Sequence, residues 1–221
     1  MAEKARLSHK QAKQPDEFIT LTNQAFAWGR SHQQAVIWGA VGAAVLVAAL
    51  GITTAYRGAQ RRDANADLAR ALNKASSNDF AGASTDLTTV SERWAGTKVA
   101  PLAALMAANT ALRAGEPDKA LAAVGGLQSS SASLPPYLQQ QVLLAWGAAL
   151  EAKQQWADAA EKYKDAAAIA GPYTGDAIVG EARARERAGD AEGARALYRQ
   201  AYEQFPDLPG RELLATKISP S

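Results

Sequence analysis

Cysteine is absent from the 221 residues, so the chain has no disulfide, no thiolate metal site and no cysteine nucleophile. Only two histidines occur, His9 and His32, both near the N-terminus and too far apart in sequence for a local metal motif. Neither has a catalytic partner nearby, and no catalytic triad can be assembled. A glycine-rich phosphate loop is also missing, because Gly125-Gly126 falls at the expected end of a helix, where a C-terminal cap is its role. Asp190 and Glu192, like Glu161 and Asp165, read as solvated helix-start or helix-face charges. These absences leave no catalytic, cofactor-binding or metal-binding residues to name and argue against an enzyme.

Excess charge of one sign is lacking too. Five Lys/Arg (Lys4, Arg6, Lys10, Lys13, Arg30) and three acids (Glu3, Asp16, Glu17) precede the apolar stretch. That leaves 19 of the 24 basic residues against 19 of the 22 acidic ones. A balanced chain without a basic stripe is a poor binder of nucleic acid, whose phosphates require clustered Lys and Arg.

What the sequence does have is a run without charge. From Ala35 to Tyr56, AVIWGAVGAAVLVAALGITTAY is 22 residues long, enough at about 1.5 Å per residue to span a bilayer core of roughly 30 Å. Arg30 and Arg57 bracket it, Trp38 and Tyr56 sit near its ends, and Trp28 lies just outside. The run exceeds the apolar region of a signal peptide and begins more than thirty residues in, which predicts a retained transmembrane helix over 35–56. Arg57, Arg61, Arg62, Arg70 and Lys74 follow it closely and balance the five basic residues before it, so charge alone does not orient it. Ala40, Ala44 and Ala48 share one helix face, which permits close contact between two such helices and an oligomer formed through them. In the tail, residues 1–34, Pro15-Asp16-Glu17 reads as a helix start, with Phe18, Leu21, Ala25 and Trp28 at helical spacing, which predicts a short interfacial helix.

Beyond the anchor, residues 57–221 form one domain, rich in alanine and therefore in closely packed helices. Small and large residues recur in register. Ala108 precedes the turn Gly115-Glu116-Pro117, then Ala120, Val124 and Leu127. Gly147 precedes Trp156, Ala159, Tyr163 and Ala166. Ala182 precedes Gly189-Asp190, Ala194, Tyr198 and Ala201, closed by Pro206. A fainter copy is Phe80, Ala83, Leu87 and Val90. The equivalent alanines Ala120, Ala159 and Ala194 are 39 and 35 residues apart, near the period of about 34 of tetratricopeptide repeats, which these units resemble. The prediction is an all-α solenoid of three to four helical hairpins, with a capping helix near 210–218 that turns Leu213 and Leu214 inward. A serine-rich loop, 129–136, lengthens the step between two units and is a further candidate contact.

Stacked first helices present a common face, and the register places Leu105, Asn109, Leu112, Leu144, Ala148, Val179, Arg183 and Arg187 on it. These are the candidate partner-binding residues.

The layout of a tail with Asp-Glu-Phe, one apolar helix, an Arg/Asp/Ala-rich helix and repeats ending in GDAEGARALYRQAYEQFPD resembles the bacterial YfgM-type family, ancillary subunits of the SecYEG translocon. The resemblance covers nearly the full chain. It implies a single-pass inner-membrane protein with a cytoplasmic N-terminus and a periplasmic repeat domain. Its implied partners are the SecYEG translocon and periplasmic chaperones that receive emerging proteins. A structural assembly factor for another envelope or secretion complex is the alternative with the same anchor and domain.

Overall fold

A high alanine content with few interior helix breakers favours helix throughout, and no strand occurs among the described residues, 28–128 and 133–218 of this computed structural model. The helices are α1 (Gln33–Ser76), α2 (Phe80–Arg93), α3 (Val99–Arg113), α4 (Pro117–Gly125), α5 (Pro136–Ala152), α6 (Trp156–Ala168), α7 (Thr174–Arg187), α8 (Ala191–Gln204) and α9 (Arg211–Ile218). The fold class is all-α, as the periodicity predicts. The interfacial helix predicted in the tail and residues 129–132 of the serine-rich loop lie outside the described residues.

Two units divide the chain, one ending at Gly58 and the other beginning at Ala59. In the first, the uncharged run of 35–56 is part of α1, which starts at Gln33 and continues to Ser76. This is one helix long and apolar enough to cross a membrane, and its most apolar window is 0% buried. Trp38, Val47 and Ile52 are among the most exposed large apolar residues of the chain. Thr53 and Thr54 donate their hydroxyl protons to the carbonyls of Ala49 and Leu50, at 2.8 and 2.9 Å, so these polar groups are satisfied within the helix. Ala40, Ala44 and Ala48 are exposed with the rest.

The second unit is a stack of hairpins. The end of α1 pairs with α2, α3 with α4, α5 with α6 and α7 with α8, while α9 packs on α8 and closes the stack. First helices of neighbouring hairpins lie side by side, α3 against α5 and α5 against α7. Their approach depends on side chains no larger than a methyl group. Ala83, Ala108, Ala120, Ala159, Ala182 and Ala201 are all fully buried, and Val124, Tyr163 and Tyr198 fill the spaces between them.

One device recurs at every hairpin turn. Asn78, Gly115, Gln154 and Gly189 all have φ between 60° and 95°, and each stands two residues before the next helix. The left-handed conformation reverses the chain there, which suits glycine and strains glutamine. Asp79 and Asp190 follow two of these residues and cap α2 and α8, accepting the amide protons of Gly82 and Gly193 at 2.9 Å. Pro117 and Pro136 start α4 and α5, where proline's missing N–H costs nothing.

The capping helix departs from expectation in one residue. Leu214 is buried, but Leu213 is 70% exposed. Adjacent positions on a helix point about 100° apart, and the single face that α9 presents to α8 takes only one of them.

Candidate functional site

The eight residues expected on the common face separate into three groups. Leu105 is buried, packed among Ala104, Ala108 and Val142 in the core between hairpins. Its place there is a correction to the expected surface: α3 has neighbours in both α2 and α5, so less of its circumference reaches solvent. Leu112, Leu144 and Val179 are half-buried against neighbouring core clusters. Asn109, Ala148, Arg183 and Arg187 reach the surface, Ala148 partly.

Ala148, Arg183 and Arg187 meet in one open groove of about 590 Å³ between α5 and α7, with Glu151, Ala152, Gln154 and Trp156 completing its walls. The groove exists because α5 carries Ala148 and Ala152 where α7, 35 residues later, carries Arg183 and Arg187.

Arg183 is committed within the chain. Its Nε and Nη2 donate to the two Glu151 oxygens at 2.9 and 2.7 Å, a fork matched to the carboxylate. The Tyr163 hydroxyl donates to the same carboxylate at 2.8 Å. Burial, then the Glu151 charge, push the Tyr163 hydroxyl well above the usual phenol range, and the hydrogen bond from Arg183 to Glu151 holds the guanidinium even more firmly protonated. The Tyr163 ring stands between Gly147 of α5 and Gly180 of α7, and a Cβ at either would lie 2.8 or 2.7 Å from a ring carbon. Arg183 therefore fastens the fourth hairpin to the third.

The same triad recurs one hairpin later. Tyr198 donates to Glu186 at 2.9 Å and Lys217 of α9 donates to its other oxygen at 2.7 Å. The Lys217 hydrogen bond is the main cause that lowers the Glu186 carboxyl below its ordinary range, and burial raises the Tyr198 phenol. In the earlier unit the corresponding positions, Leu112 and Val124, are apolar, and the joint there is a packed one.

Along the turn edge, cations reach from one hairpin to the one before. The Arg113 guanidinium lies 4.0 Å from the ring centroid of Phe80, Lys153 pairs with Asp118 at 2.6 Å, and Arg187 lies 6.0 Å from the centroid of Trp156. Phe80 and Trp156 are each the first residue of their helix. Neither the triads nor this edge is visible as a local motif, since each joins residues 12 to 35 positions apart.

A second groove, of about 790 Å³ and mostly apolar, lies at the opposite ends of the helices, where the start of α3, the end of α4 and the start of α5 converge. Tyr137, 51% exposed, borders it. Among the described residues no three His, Asp or Glu side chains are grouped as a metal site would require.

No protein-family model and no curated protein matches the chain. Among solved structures, it is similar to the crystal structure of a Podosopora anserina protein assigned as a kinesin light chain, with nearly identical TPR-like repeats, and to a point variant of that protein. Each comparison gives a TM-score of 0.58 at 17% identity, over 70% of this chain and 82% of the other. At that identity the likeness shows the fold alone: this chain has the architecture of tetratricopeptide-like repeat proteins.

Proposed function

We propose that this chain is an integral membrane scaffold whose repeat domain docks other proteins. The observation that carries the reading is the uncharged 22-residue run of 35–56, whose large side chains stand exposed along α1. So continuous an apolar surface is stable in lipid and aggregates in water. A solenoid of stacked hairpins supplies the complement, an extended surface of first helices suited to a partner chain. The sequence resemblance adds topology and company: N-terminus in the cytoplasm, repeats in the periplasm, and a place beside the SecYEG translocon as a link to chaperones or newly translocated proteins.

Site-specific photocrosslinking in intact cells tests this reading. Crosslinkers at Asn109 and Leu112, neither of which takes part in the Glu151 or Glu186 triads, should capture translocon subunits or periplasmic chaperones. Adducts only with cytoplasmic proteins, or with components of a different envelope assembly, would contradict the translocon assignment. Release of the chain from membranes by alkaline carbonate would contradict the anchor.

A further inference from the structure

The two ends of the hairpin stack differ in chemistry. The turns within hairpins form one end, and charges crowd them: Glu116, Asp118 and Lys119 at the α3–α4 turn, Glu151, Lys153 and Asp158 at the α5–α6 turn. The joints between hairpins form the other. There the Trp94 indole donates to Asp67 of α1 at 3.0 Å, the groove of about 790 Å³ connects the start of α3 to the start of α5, and Gln140 of α5 accepts the Tyr173 amide at 3.1 Å. The chain also enters the repeat domain at this end, where Ala64, eight residues past the uncharged run, is already fully buried.

At the first two joints charge is either net positive or missing. Around the α2–α3 joint, Arg61, Arg62, Arg70, Arg93 and Lys98 face Asp63, Asp67 and Glu92, five cations against three carboxylates. Asp67 accepts from both Arg70 and Arg93, while Arg61, Arg62 and Lys98 stand exposed. No charged residue occurs from Ala120 to Leu150, a stretch that includes the α4–α5 joint. The pattern ends at the α6–α7 joint, which Asp165 and Asp176 flank. Apolar exposure follows the same gradient. Among the described residues of the repeat domain, large apolar side chains are exposed at Leu102, Tyr137 and Leu213. The first two belong to the opening turns of α3 and α5, at the joint end. Basic residues just past an apolar helix are ordinary for an anchored protein. They do not account for a leucine and a tyrosine exposed at that same end on two later hairpins.

The geometry points to the first two joints as a membrane-contacting face of the repeat domain, with Leu102 and Tyr137 at the headgroup level of the bilayer and Arg61, Arg62 and Lys98 paired with lipid phosphates. Aromatic and aliphatic side chains backed by cations are what an anionic lipid surface holds. The inference rests on the anchor proposed above and is independent of the side of the membrane on which the repeats lie.

The chain has no cysteine, so a single introduced thiol can carry an environment-sensitive fluorophore. The full chain is reconstituted into nanodiscs of phosphatidylcholine and phosphatidylglycerol, with and without a nitroxide on the lipid headgroup. A label at Tyr137→Cys should be blue-shifted and quenched by the nitroxide, one at Pro172→Cys less so, and one at Lys119→Cys, in a hairpin turn, not at all. Leu102→Cys replaces Tyr137→Cys if circular dichroism shows that variant to have lost its fold. Removing phosphatidylglycerol, or the triple change Arg61→Gln/Arg62→Gln/Lys98→Gln, should weaken the quenching, each cation shifting contact with an anionic surface by about fivefold. Equal quenching at 137 and 119, or none at either, overturns the inference, while incorporation into the discs retains the anchor. A blue-shifted label at 137 that no lipid nitroxide quenches also overturns it and assigns the face to protein. Quenching at 137 that ignores both lipid charge and the triple change overturns the phosphate pairing. Failure to enter the discs overturns the anchor and this inference with it.

Discussion

Tyr163 shows what a single residue does in this fold. Its ring occupies the gap left by Gly147 and Gly180, and its hydroxyl completes the Glu151–Arg183 pair. Tyr163→Phe keeps the ring and removes the hydroxyl's bond to Glu151 and the longer one it accepts from Arg183, so it should cost about 1–2 kcal/mol in denaturant unfolding. No loss would mean that the fork alone holds the joint. The titration directions define a second prediction. The two phenols have raised values, so folded chains keep their protons longer than unfolded ones. This stabilisation is complete below the ordinary phenol value of 10.0 and is lost as pH rises past it. Glu186 and Asp190 have lowered values. Their contribution is complete above the ordinary 4.5 and 3.8 and is lost as pH falls through that range. A profile of Tm against pH should thus fall at both ends, and the alkaline fall should shrink in a Tyr163→Phe/Tyr198→Phe double variant. An unchanged alkaline limb in that variant would contradict the assignment. The register in the sequence identifies both tyrosines as space-fillers. It does not reveal that Arg183 is taken, because Glu151 lies 32 residues away and meets it only once the hairpins stack.

At the scale of the element, the hairpin turns carry the repeat as faithfully as the alanines do. Two of them, at Gly115 and Gly189, are legible from sequence because glycine favours positive φ. Asn78 and Gln154 adopt the same backbone without the residue that advertises it. Counted from these turns the spacings are 37, 39 and 35 residues, and the faint upstream copy becomes a full hairpin built from the end of α1 and α2. That first hairpin is hard to read because its first helix shares one unbroken helix with the apolar run, with no cap or turn to mark where it begins. Leu105 and Leu213 are misplaced for a related reason: register gives the repeat position, but burial depends on how many neighbours a helix has. Gln154→Gly should stabilise the domain by about 0.5–1 kcal/mol by relieving left-handed strain, and Gly189→Ala should destabilise it by about 1–2 kcal/mol. Chemical denaturation checks both signs, and a destabilising Gln154→Gly would show that its side chain makes a contribution larger than the strain.

For the whole molecule, the two units make different demands on their surroundings. The repeat domain buries Tyr163, Tyr198 and many of its alanines, while Arg183–Glu151 fastens one hairpin to the next and Lys217–Glu186 fastens the capping helix to the last. The run of 35–56 buries none of its large apolar side chains within the chain. Length and composition make that run legible from sequence alone, whereas the balanced charges on its two sides leave its direction open. Direction decides which proteins the repeats can meet, so the most direct test is protease accessibility in spheroplasts of the chain tagged at its C-terminus. External protease should remove the tag while a cytoplasmic marker stays intact. Protection of the tag until the membrane is dissolved would place the repeats in the cytoplasm and contradict the proposed periplasmic role.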